Sequence, residues 1–216
     1  MQQFIFNRHY DLEGKHARLS ASSWRWLNDD ENTLIKRMCS QYATDIGTIL
    51  HNIAYKHIKH RVKMNKYDKK NVMLELLTSG IPAFVVDTIN LDDMFDNLMT
   101  YVNDGVGFKM QPEVVLRYSD NFFGTTDAIA YFEKERFLRI HDYKSGTTPA
   151  HIEQLLIYTA LFCLEYRMKP SEFDTELRIY QNNEILHHEP TPDEIMPVID
   201  TIVNFDNFIV KTKQEV

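Results

Sequence analysis

The chain predicts an α/β fold, a central mixed β-sheet flanked by helices, and three observations carry that prediction. From about residue 112 to 188, short runs of β-branched and aromatic residues alternate with turn residues, the mark of strands. Before and after that region the apolar residues recur at helical spacing. The 216 residues, 44% of them hydrophobic, suffice for one sizeable domain with a real core. Its expected parts are a helical stretch over about 20–110, a sheet with one helix over about 112–188, and a closing helix over about 191–213.

The helical part comes first. Ser20 or Ser22 can cap a short helix through Trp24 and Leu27, ahead of the acidic turn Asn28-Asp29-Asp30-Glu31. Glu31 to about Val62 then reads as one long or broken helix, in which Gly47 and His51 lie four apart on the same face. Between Tyr55 and Lys70, continuing from His51, Lys56, Lys59, Arg61, Lys63, Lys66, Lys69 and Lys70 form a basic run opposed only by Asp68. Such a run is often a solvated face. Lys69–Ser79 and Leu91–Val102 read as two more helices, separated by Gly80-Ile81-Pro82.

Three strand candidates follow. Glu113–Tyr118 opens on an acid next to Pro112, and Phe122–Tyr131 carries Asp127 in an otherwise uncharged segment. A carboxylate buried there is costly unless it is paired or bound to a metal, although a strand-end Asp can also cap a turn. In Phe137–Lys144, side chains two apart share a face, so Leu138, Ile140, Asp142 and Lys144 point one way. A carboxylate and an ammonium thus leave the strand's C-terminal end together, beyond two apolar anchors. Taken alone, such a triplet is more often a surface pair on an edge strand. With Asp127 converging from the neighbouring strand, the two aspartates make a hard, oxygen-rich site that suits Mg²⁺ or Mn²⁺ better than Zn²⁺.

Ser145-Gly146-Thr147-Thr148-Pro149 reads as a turn, and Pro149 fits the start of a helix to about Tyr166. Gln154 and Tyr158 share one face of that helix. Phe173–Tyr180 and Ile185–His188 predict a strand pair, in which His187 and His188 face opposite ways and do not readily bind one ion. A last helix from about Pro192 to Val210, capped near Thr191, has Ile195, Val198, Ile199, Ile202 and Val203 at core spacing.

The first twenty residues lack a signal peptide's apolar stretch, and no run is long enough to span a bilayer, so no membrane partner is expected. Two cysteines, Cys39 and Cys163, make neither a disulfide framework nor a C-x-x-C metal site. A net charge of −7 argues against a uniformly basic nucleic-acid surface, which leaves the run after Tyr55 as the basic exception.

In this order the motifs resemble the PD-(D/E)XK nuclease superfamily, specifically its RecB-like branch with the phage exonucleases and CRISPR-associated nucleases. Gly47-Thr48-Ile49-Leu50-His51 matches the family's G-x-x-x-H helix and Gly124–Asp127 its first acid. Asp142-Tyr143-Lys144 matches its D/E-x-K, Gln154–Tyr158 its Q-x-x-x-Y, and Leu19-Ser20-Ala21-Ser22 its Ser-x-Ser entry segment. The resemblance covers about residues 19–166 and implies a restriction-endonuclease-like core. It implies that His51, Asp127, Asp142 and the Tyr143 carbonyl bind one or two Mg²⁺ or Mn²⁺ ions; apart from the resemblance, Glu113 at the start of its strand is a candidate third acid, although a strand-opening Glu next to Pro112 is often merely solvated. Lys144 would be catalytic, with Gln154 and Tyr158 beside it, and Ser20 and Ser22 would belong to the DNA path. Some RecB-like nucleases hold a four-cysteine iron–sulfur cluster; two cysteines are too few, and none is expected.

The activity implied is a metal-dependent DNA exonuclease acting at single- or double-stranded ends, in phage-type replication, recombination or repair. A replication or recombination protein is the further partner expected, and the cytoplasm of a bacterial or phage-infected cell the expected location. Lys56, Lys59, Arg61 and Lys63 would form a basic arm extending from His51 along the phosphate backbone. The alternatives are an endonuclease with the same site and a non-catalytic DNA- or protein-binding module on the nuclease fold.

Overall fold

The computed structural model describes residues 7–12, 17, 19–146 and 148–214. Five strands make one mixed sheet in chain order: β1 (Gln111–Arg117), β2 (Phe123–Phe132), β3 (Phe137–Tyr143), β4 (Asp174–Gln181) and β5 (Glu184–His188). Neighbours are antiparallel except for β3 and β4, which are parallel. A parallel pair needs a crossover, and α5 (Glu153–Tyr166) lies in it.

Strand alternation separates two cores. Leu138, Ile140, Leu177 and Ile179 face α5 and α6 (Pro192–Gln214), packing with Leu155, Leu161, Ile195 and Ile202. Ala128, Ala130, Tyr143 and Tyr180 face the other way, against α1 (Glu31–His60), α2 (Lys69–Thr78), α3 (Ala83–Thr88) and α4 (Leu91–Gly107). Leu50, Leu76, Leu98 and Tyr101 are among the sealed side chains there. Each such aliphatic side chain stabilises the fold by about 1.5–3 kcal/mol.

The long helix is unbroken. Asp30 caps α1 by accepting the Thr33 N–H at 2.7 Å, and the helix ends where Arg61 turns left-handed at φ 59°. α4 runs five residues past the expected Val102, because its buried stripe continues to Gly105, which lies against Ile58. α3 is an element the sequence reading did not anticipate.

Two expectations need correction. Pro149 does not start α5; the helix begins at Glu153. Gln181 explains this, because its carboxamide accepts the Ala150 N–H at 3.0 Å and donates to the carbonyls of Gly146 and Thr148, holding that loop off helical geometry. Thr147, part of the expected turn, lies outside the described residues. Glu113 does not open its strand either. It sits third in β1, at φ 51°, a left-handed conformation that non-glycine residues seldom adopt.

Candidate active site

Sheet register gathers the acids. Pro112 pairs with Ala128 and Val114 with Thr126, so Glu113 stands opposite Asp127. Ala128 pairs with His141 at the last rung between β2 and β3, so Asp127 and Asp142 come next, just where the ladder stops. Three carboxylates therefore share one row across β1, β2 and β3. Asp127 Oδ2 takes over the Tyr143 N–H at 2.9 Å, and Glu113 is close enough that its charge acts on both Asp127 and His51.

Lys144 lies just past β3 and keeps strand geometry, its N–H donating to the Tyr180 carbonyl at 3.0 Å. Asn97, a buried residue that sequence reasoning missed, donates to that carbonyl and to the Lys144 carbonyl from α4. The Lys144 ammonium donates to Asp142 Oδ1 at 3.2 Å and to Gln154 Oε1 at 3.0 Å, while Gln154 Nε2 donates to the same Asp142 oxygen at 3.3 Å.

Asp142 is 2% exposed, and its Oδ2 lies 2.9 Å from the ammonium yet has no hydrogen-bond partner. Burial, then the Asp127 charge, raises its pKa against the pull of Lys144. Asp127 is raised as well, first by burial. His51 Nδ1 lies 3.5 Å from Asp127 Oδ2, and its ring meets Tyr143 edge-on. Burial lowers the His51 pKa despite the nearby Asp142 charge, which favours the neutral imidazole that ligates metals.

Two glycines are there for close approach. A Cβ on Gly124 would come within 2.9 Å of the Tyr158 ring, whose hydroxyl donates to the Thr125 carbonyl at 2.7 Å. A Cβ on Gly47 would meet Ser145 Oγ at 3.1 Å, so α1 is pressed against the loop after β3. Gly47 and His51 on α1, Gly124 and Asp127 on β2, and Gln154 and Tyr158 on α5 thus surround the end of β3.

A hard divalent cation suits this donor set. One buried carboxylate meets the Lys144 ammonium, a second carboxylate and an imidazole that burial biases to the neutral form lie next to it, and burial raises the pKa of both acids. His51 is paired with Asp127 and Asp142 with Lys144, rather than all three closing on a point.

Of the basic arm, only Lys56 meets a carboxylate among the described residues. Lys56 pairs with Glu75 at 3.1 Å and Lys69 with Asp92, while Arg61 donates to the carbonyls of Met110 and Lys109, tying the end of α1 to β1. Lys59 donates to the Tyr55 hydroxyl, and Lys63 is exposed; among the described residues neither has a carboxylate partner. Ser20 caps nothing with its side chain: its hydroxyl bonds those of Ser22 and Ser23 within the 3₁₀ segment Ala21–Asn28.

A second charged group had no sequence signal. Glu176 on β4 accepts from Arg139 Nε at 2.5 Å and Arg178 at 3.0 Å, with His141 and His187 each 3.6 Å away. Glu176, His187 and Glu189 bring three ligand atoms within 4.8 Å of one another. His188 turns instead to Glu194, as strand alternation requires.

Fold and site together describe an α/β protein with a carboxylate–lysine centre at the end of a mixed sheet. The chain belongs to the DUF2800 family, proteins of unknown function, whose model matches residues 16–160, a span that contains every member of this centre. No curated protein and no solved structure matches it. Among the described residues no helix is long and apolar enough to cross a membrane.

Proposed function

We propose that the protein is a metal-dependent DNA nuclease of the PD-(D/E)XK, RecB-like type, an exonuclease acting at DNA ends. The observation that supports this reading is the join at the end of β3: the Lys144 ammonium bound to Gln154 and held against both oxygens of a buried Asp142, with Asp127 converging from β2. His51, Asp127, Asp142 and the Tyr143 carbonyl would hold Mg²⁺ or Mn²⁺. Such an ion, when bound, lowers the pKa of a water and neutralises charge growing on the phosphate. Lys144 presents its ammonium to the attacking water or to the phosphoryl oxygen, while Asp142 and Gln154 hold it in place. Positioned donors of this kind contribute about 3–4 kcal/mol to the transition state. Gln154 and Tyr158 keep α5 in register with the strand end, and Glu113 adds negative charge to the cation side. The choice of exonuclease over endonuclease follows the family resemblance.

The test is linear and circular DNA, single- and double-stranded and labelled at either end, incubated with Mg²⁺, Mn²⁺ or EDTA. Metal-dependent loss from one end of linear DNA, absent in Lys144→Ala, is the expected result. Cutting of circles would move the reading to an endonuclease. A folded protein that cuts nothing would favour the binding module.

A further inference from the structure

Next to the Lys144 centre is a cavity of about 230 Å³ that phosphodiester hydrolysis leaves unused. Its polar wall comes from separate parts of the chain: Asn90, Asp93 and Asn97 along the start of α4, Lys144 and Ser145 after β3, and Asn182 in the β4–β5 turn. Ile89, Met94 and Tyr143 supply an apolar wall. Asn182 and Asn183 both have positive φ, the geometry of a tight hairpin turn, and Asn183 donates to Asp93 Oδ1 at 2.9 Å. Asn90 donates to the other Asp93 oxygen, so the carboxylate is held from both sides.

Three features define the occupant. Lys144 joins the cavity to the proposed reaction centre: its carbonyl meets Asn97 on the cavity side and its ammonium reaches Asp142 and Gln154, so the two are one lysine side chain apart. Asp93 on the wall disfavours a second phosphate and favours a neutral group that offers N–H donors. The volume is below the roughly 300–1,000 Å³ of ordinary small-molecule sites, which excludes a base pair and leaves room for one ring system. Side-chain amides and a carboxylate beside apolar contacts are the chemistry that reads the edge of an unstacked base.

Resting on the nuclease reading above, we infer that this cavity receives one unpaired nucleobase of the strand being cut, adjacent to the scissile phosphate. The substrate is then single-stranded DNA or a frayed end, because a base within an intact duplex does not reach the cavity. Asp93 and the asparagines are binding residues here and take no part in the bond cleavage.

The experiment uses single-stranded oligonucleotides with Mn²⁺, each carrying one abasic residue at a different position, compared with the unmodified strand and its duplex. Cleavage beside the abasic residue is expected to slow about tenfold, the scale of one lost base contact, and the intact duplex to be cut more slowly than the single strand. Asp93→Asn is expected to narrow the difference between normal and abasic strands. Equal rates at abasic and normal positions, with Lys144→Ala still inactive, would overturn the base-binding cavity and leave the nuclease reading standing. No cleavage of any strand by the folded wild type would overturn the nuclease reading and the cavity with it.

Discussion

Asp142 on β3 and Glu176 on β4 are carboxylates on adjacent strands, 2% and 6% exposed, and their surroundings differ in kind. Around Glu176, burial works to raise the pKa, but the nearby His141 ring, the Arg139 hydrogen bond and the charges of Arg139 and Arg178 outweigh it and hold the acid well below the carboxylate range. Around Asp142, burial and the Asp127 charge outweigh a single lysine, and one oxygen has no hydrogen bond. The first acid has its positive charge built into the fold. The second has one lysine, itself one-third exposed, for its positive charge. Compactness of ligand atoms points the other way, since Glu176, His187 and Glu189 form the tighter group. Two guanidiniums already engage Glu176, so a metal ion would have to compete with them, and charge balance is the better guide.

If Glu176 is structural, Glu176→Gln should give the largest change: it leaves two arginines without their buried partner and should lower stability by about 3–5 kcal/mol, measured by urea unfolding, with cleavage kept below the melting temperature. The same pair of proteins tests the sign of the pH effect. Glu176 is held below its ordinary 4.5 in the fold, so its contribution is complete above that value and is lost as the pH falls below it. The wild type's stability advantage over Glu176→Gln should therefore shrink on acidification.

Lys144→Ala should do the reverse, removing about 3–4 kcal/mol of transition-state stabilisation in single-turnover cleavage while the melting temperature hardly moves. A comparable loss of stability would make the two regions alike and break the contrast. A smaller effect is expected of Gly124→Ala, whose new methyl meets the Tyr158 ring: about 1–3 kcal/mol of stability, with slower cleavage as α5 shifts. Lys56→Ala should be the mildest. Its exposed pair with Glu75 is worth under about 1 kcal/mol, and DNA affinity measured at low salt should fall only slightly, because Lys56 already has an acidic partner.

Local pattern was enough to read much of this centre. The alternation Leu138, Ile140, Asp142 put a carboxylate at the end of two sealed side chains, and both apolar residues are fully buried. Helical spacing put Gln154 and Tyr158 on one face, and they reach Lys144 and Thr125. What depends on register was not legible. The row Glu113, Asp127, Asp142 exists only once β1, β2 and β3 are aligned, and the Glu176 group needs β3 beside β4 and β4 beside β5. The local partners of the basic run were not legible for a similar reason: Glu75, Asp92 and the Met110 carbonyl, which meet Lys56, Lys69 and Arg61, are distant in sequence. Pro149 looked like a helix start because its loop is held off helical geometry by Gln181, thirty-one residues beyond Ala150.

The most direct test of the contrast is calorimetric titration of Mn²⁺ into the wild type, Asp142→Asn and Glu176→Gln, with melting curves showing each protein folded at the titration temperature. Binding by the wild type and Glu176→Gln, lost in Asp142→Asn, is the predicted result. Binding that survives in Asp142→Asn and disappears in Glu176→Gln would place the ion on the other cluster and contradict the assignment of the centre.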